Sequence, residues 1–178
     1  IFKDHASNYM SVHFQMSLRA GETIVAKQTF ERFAATAGVK IKKYHADNGV
    51  FVSAAFKAHV LANGQVLDLS GVGGQHQNGR AERSIRTVFS LARALLIHSA
   101  LYWPDAHGLE LWPFAVEYAV WILNNLPDDD GLSPIEKFTR QKFENYNHLR
   151  RSHVWGAPMY VLDPSLQDGK KLPKFHAR

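Results

Sequence analysis

The sequence predicts an α/β domain in which helices pack on a mixed sheet. Two extended runs open the chain, strand and helix signatures then alternate, and long amphipathic helices fill the middle. An antiparallel start followed by alternating strand and helix is the pattern of a sheet that holds both kinds of pairing.

Each element has its own local reason. The run "IFKDHASNYMSVHFQM" (1–16) breaks at Ser7-Asn8, which predicts a β-hairpin. In "GETIVAKQTFERFAATAG", Ala26, Phe30, Phe33, Ala34 and Ala37 recur at helical spacing, and Gly38 closes the helix. "VKIKKYHA" (39–46) reads as a strand ending at Asp47. "SAAFKAHVLANG" is a short helix stopped by Asn63-Gly64, and "QVLDLS" a further short strand. From Gly79, a stripe of Ala81, Ile85, Val88, Ala92, Leu95 and Leu96 predicts a long helix with that face inward. "LWPFAVEYAVWILNN" is a last helix, ending before Pro127. Beyond Ser133 the chain is more polar, with a strand-like "PMYVLD" and a basic tail.

At 178 residues the chain is long enough for one domain with a real core. No apolar run approaches the length of a membrane span, and no secretory signal opens the sequence. The opening Ile1 and the basic end read as a fragment of something longer. Cysteine is absent, which excludes disulfides and thiolate-held zinc, and the ten histidines are scattered. The net charge of +5 is compatible with a polyanionic partner.

Two acids stand out. Asp47 opens "DNGV" at a strand end, where active sites of open α/β sheets gather. Glu82 lies in "GQHQNGRAERSIRTV" (74–88), at the head of the long helix, with 34 residues between the two. A crossover of that length can bring the pair together, and two carboxylates from different elements can grip Mg²⁺. The plain alternative is a turn aspartate in an Asn-Gly hairpin and a helix-start glutamate favoured by the dipole. On the helix, Glu82, Arg86, Phe89 and Arg93 form one stripe, with Arg83 beside it and Arg80 just before. Such arginines suit backbone phosphates, although a solvated face with Glu–Arg pairing gives the same pattern.

"YHADNG" followed by "GVGGQHQNGRAER" resembles the integrase core of copia-type retrotransposons and, more distantly, retroviral integrase. The resemblance continues through "LWPFAVEYAVWILNNLP", "LSPIEKF" and "VWGAPMYVLDPSLQDGKKLPK", so it covers nearly the whole chain. It implies a ribonuclease H-like fold and a polynucleotidyl transferase whose two aspartates and one glutamate hold Mg²⁺ or Mn²⁺. By motif match, Asp47 is the second aspartate and Glu82 the glutamate. Gln75, Gln77 and Asn78 fall in the loop that touches substrate DNA in the family, and Arg86 matches a basic position facing DNA; loop hydrogen bonding is the other reading of that loop. His45 reads as a strand-packing residue.

The spacing is one residue short of the family's common pattern. The first aspartate belongs on a strand upstream of the segment that "IFKDHAS" resembles. Asp4 sits at a second-strand position and is not assigned. The expected fold is therefore an integrase core (1–126) lacking its first strand, with a C-terminal extension and basic tail (127–178). DNA is the implied partner, as element ends and target. A homo-oligomer is implied for the intact protein, and the nucleus for the integrating complex. The alternative is an inactive nucleic-acid-binding remnant of a retroelement.

Overall fold

The computed structural model describes residues 1–71, 79–106, 108–159 and 161. Its elements follow the expected order. Strands β1 (Phe2–Lys3) and β2 (Met10–Ser11) form an antiparallel hairpin, followed by helix α1 (Ala20–Thr36). Then come β3 (Lys43–Ala46), α2 (Ala54–Ala62), β4 (Val66–Leu69), the long α3 (Gly79–Tyr102) and α4 (Trp112–Asn125). Two short helices follow, α5 (Pro134–Thr139) and α6 (Asn147–Arg150).

The single mixed sheet is not observed. Among the described residues β1 pairs only with β2, while β3 pairs only with β4, in parallel from Lys43↔Val66 to Ala46↔Leu69. Both kinds of pairing are present, but in two small sheets. Alternation across β2 splits the core in two. Met10 joins Val88 and Ala92 of α3 and Ala115, Val116, Ala119 and Val120 of α4. Its neighbour Tyr9 joins Phe30, Ala34 and Phe138. Full burial of a Val or Phe in such a cluster contributes about 1.5–3 kcal/mol.

The outer edge of the hairpin is closed by a side chain. Asn124 of α4 accepts from Met10 N at 2.9 Å and donates to Met10 O at 2.7 Å, imitating a neighbouring strand. Both edge groups of that residue are thereby satisfied without water.

Several details differ from expectation. On α3 the buried positions are Ser84, Val88, Ala92 and Ser99, whereas Ile85 is exposed. The inward stripe thus includes serines: Ser84 Oγ meets Lys3 Nζ of β1, and Ser99 lies against Gly156. On α1, Lys27 is completely buried and Phe33 partly exposed. The helix at 134–139 lies where the sequence suggested only a polar segment; its Pro at the first turn and Ser133–Glu136 capping box are standard start signals. The strand-like "PMYVLD" falls partly outside the described residues, and the part described is not a strand.

Candidate active site and nucleic-acid surface

Asp47 directly follows β3, and that strand is held from two sides. Glu31 of α1 accepts from Lys27 Nζ at 2.9 Å, from the Tyr44 hydroxyl at 2.8 Å, and from Gln65 Nε2. Burial pushes Glu31 up, but these three donors and the Lys27 charge outweigh it and hold the carboxylate below its usual range. Lys27 Nζ also stands 5.2 Å above the Tyr44 ring, a cation–π contact out of water. On the other side, Lys43 pairs with Asp68 of β4 at 2.8 Å, and His45 Nδ1 lies 3.3 Å from the same oxygen. Those partners, Lys43 first, hold Asp68 below the usual carboxylate range. His45 is thereby a cross-strand residue, as its place in the strand suggested.

The Asn-Gly dipeptide does not make a hairpin. The chain passes from Asp47 into a turn of 3-10 helix (Val50–Val52) and then α2, and β3 and β4 run parallel. Asn48 Nδ2 donates to Ser70 O at 3.0 Å, tying the C-terminal ends of the two strands together. Asp47 Oδ1 accepts from Gly49 N at 3.0 Å. A Cβ on Gly49 would come within 3.1 Å of that same oxygen, and its φ of −74° is not left-handed. The glycine therefore serves close approach to the carboxylate, not a left-handed turn.

Glu82 lies in the first turn of α3 and is exposed; no hydrogen bond or ion pair engages its side chain among the described residues. Arg86, Phe89 and Arg93 are exposed on the same stripe, so the acid and two arginines share an open helix face. Arg83 belongs to a different face, with Arg80, and its Nε bonds to Gly79 O at 3.2 Å. Gln75, Gln77 and Asn78 lie outside the described residues. Asp4 is committed elsewhere. Its Oδ2 accepts from Ala6 N, Ser7 N and Ser7 Oγ at 2.7–3.1 Å, which makes it the organiser of the hairpin turn. Among the described residues no group of three or more His, Asp or Glu is placed to hold a metal ion.

The donor chemistry nonetheless suits a hard cation. Asp47 is exposed and keeps one oxygen without a partner among the described residues, and Glu82 keeps both. Carboxylate oxygens with room for water and phosphate are what Mg²⁺ takes.

No protein-family profile matches the chain. A retrovirus-related Pol polyprotein from transposon TNT 1-94 of Nicotiana tabacum is 28% identical over 156 residues, which is 82% of this chain. The catalytic core domain of HTLV-2 integrase, solved with magnesium in a dimeric form, superimposes with a TM-score of 0.52. It is 22% identical, and the match covers 76% of this chain and 79% of that one. The chain is thus similar in sequence to a retrotransposon Pol polyprotein and in fold to an integrase catalytic core. It spans only 11% of the length of the tobacco polyprotein.

Sequence reasoning missed three contributors here. Asn48 was visible only as half of a turn dipeptide. Glu31 and Lys27 stand at i,i+4 spacing, and only burial of the lysine reveals the clamp. No linear signal distinguishes such a pair from a solvated one.

Proposed function

We propose that the chain is part of an integrase catalytic core that joins the 3′ ends of retroelement DNA to target DNA. The observation that carries the proposal is the pair of exposed, uncommitted carboxylates in an integrase-core fold. Asp47 stands at a strand end and Glu82 at a helix start. Asp47 and Glu82 would hold Mg²⁺ or Mn²⁺, which when bound stabilises charge on the attacking and leaving oxygens. Arg86 and Arg93 bind backbone phosphates beside the acids, Gln75 and Asn78 complete that contact, and Arg83 binds DNA from the neighbouring face of α3. The Glu31 clamp and the Asn48–Ser70 tie keep Asp47 in place during the reaction. A 3′-hydroxyl oxygen attacks phosphorus, the target's P–O3′ bond breaks, and the departing oxygen takes up a proton. Positioning and charge stabilisation suffice, with no covalent enzyme intermediate.

The third carboxylate would come from a strand outside residues 1–178, seated between β1 and β3. The two sheets support this. Among the described residues no ladder joins the β1–β2 and β3–β4 sheets, as the loss of an intervening strand would leave them. Residues 127–178 would act as an extension of the core, since Phe138 packs into the Tyr9–Phe30 cluster. A homo-oligomer fits the apolar surface at Phe14 and Trp112, which meet edge-on at 5.4 Å and stay exposed.

A second reading, an inactive nucleic-acid-binding remnant, is favoured by one observation: no three acids gather among the described residues. Strand transfer separates the two. Residues 1–178 alone should fold poorly and join no DNA in Mg²⁺, whereas the chain extended by its upstream strand should do both. Robust transfer by the 178-residue chain would misplace the first ligand and return Asp4 to consideration. Persistent inactivity of a well-folded extended chain would favour the remnant.

A further inference from the structure

A second basic cluster lies on the neighbouring face of α3. At about 100° per residue, Arg80, Ser84 and Thr87 lie roughly 120–180° around the helix from the Glu82–Arg86–Arg93 stripe, and Arg83 lies about 80° from it. That face meets β1 across a cavity of about 380 Å³, whose rim carries Lys3, Asn8, Arg80, Arg83, Ser84 and Thr87. Leu123 and Pro134 line it as well, giving the cavity an apolar side.

Three cations share this cavity, and no carboxylate lines it. None of the three forms an ion pair among the described residues, in which Lys27, Lys43 and Lys137 all do. The nearest acid in sequence, Asp4, is occupied by the hairpin turn. Lys3 Nζ donates to Ser84 Oγ at 2.8 Å, and that hydroxyl in turn donates to Arg80 O at 2.9 Å. The ammonium is thus fixed, yet two of its three protons remain available. Burial first, then the charges of Arg80 and Arg83, pull Lys3 below its ordinary value. Crowded cations of this kind repel one another until an anion joins them.

We propose that this cavity is a phosphate-binding site, distinct from the Glu82 stripe, that seats a backbone phosphate of a nucleic-acid strand. The chemistry requires only a phosphate. That the phosphate belongs to nucleic acid, not to a free anion, rests on the function proposed above. Lys3 supplies a point charge, the two guanidiniums supply forked donors, and the apolar side leaves room for the sugar. A strand held here and a strand held along Arg86 and Arg93 would lie on two sides of one helix.

The test is duplex-DNA binding by the protein extended with its upstream strand, read by fluorescence anisotropy against salt in EDTA. Omitting divalent metal separates this site from the Asp47–Glu82 reading, which can fail without affecting the result. Lys3→Gln and the double variant Arg80→Gln/Arg83→Gln should weaken binding and lower the salt slope by about 0.9 per charge removed. Lys3→Arg should keep the parental slope, which a mere packing lesion would not allow. Inorganic pyrophosphate, titrated separately by calorimetry, should bind the parent and not the triple variant. Unchanged slopes in the neutralised variants would overturn the site. Loss of pyrophosphate binding with intact DNA binding would overturn the nucleic-acid assignment. A Lys3→Arg variant as weak as Lys3→Gln would reduce Lys3 to packing.

Discussion

Two regions of this molecule treat a carboxylate in opposite ways. At the α5 corner, Glu136 is buried and accepts from Ser133 N at 2.8 Å, Ser133 Oγ at 2.7 Å, Phe143 N at 2.6 Å and the Tyr146 hydroxyl. Burial alone would push it up, but those donors hold it down to about 2. After β3, Asp47 has a single backbone donor, and in the first turn of α3 Glu82 has none among the described residues. The first acid is consumed by the fold. The other two keep ligand capacity that the proposed metal site would use.

Exchanging charge for an isosteric amide in each region breaks the comparison most sharply. In the extended protein, Asp47→Asn or Glu82→Gln should reduce strand transfer by at least about a hundredfold, leaving DNA binding and melting temperature near parental. Full activity of Glu82→Gln would remove that residue from the site. Glu136→Gln should do the reverse. It should cost about 2 kcal/mol, seen as a melting temperature lower by roughly 4–8 °C, with kcat per folded molecule unchanged.

The same contrast has a pH signature. Glu136 sits at about 2 in the fold against an ordinary 4.5, so its contribution is complete above about 4.5. It is lost as pH falls from there through about 2. Denaturant midpoints for the parent should drop over that window, and Glu136→Gln should flatten the drop. An equally steep loss in the variant would assign the acid sensitivity to other groups, Asp130 at the Lys137 pair among them.

Smaller effects sharpen the open side. Arg86→Ala should weaken DNA binding largely without regard to sequence and reduce the salt slope by about one. An unchanged slope would leave Arg86 a solvated surface residue. Gly49→Ala should shift the Asp47 carboxylate by a few tenths of an ångström and lower transfer only several-fold.

Much of this was legible in the sequence, for identifiable reasons. The order of elements through α4 follows from periodicity and from Gly38 and Gly64, both at positive φ where the helices stop. The acids were legible through their motifs and through their places at a strand end and a helix start. Whether two strands pair is not written in their periodicity, so the separation of the β1–β2 and β3–β4 sheets was invisible. Burial of Lys27 and Glu136 was equally hidden, because both residue types read as surface until their donors and acceptors are assembled from distant segments. The Lys3 cavity joins residues about eighty positions apart, a distance no local pattern spans.

The central claim is that Asp47 and Glu82 share a divalent ion. Diffraction from crystals of the extended protein grown with Mn²⁺, recorded at the manganese edge, tests it most directly. An anomalous peak bonded to oxygens of both side chains, lost in Asp47→Asn crystals, is the predicted result. Full Mn²⁺ occupancy elsewhere, with Asp47 still bonded only to Gly49 N and Glu82 turned to solvent on another face, would contradict it.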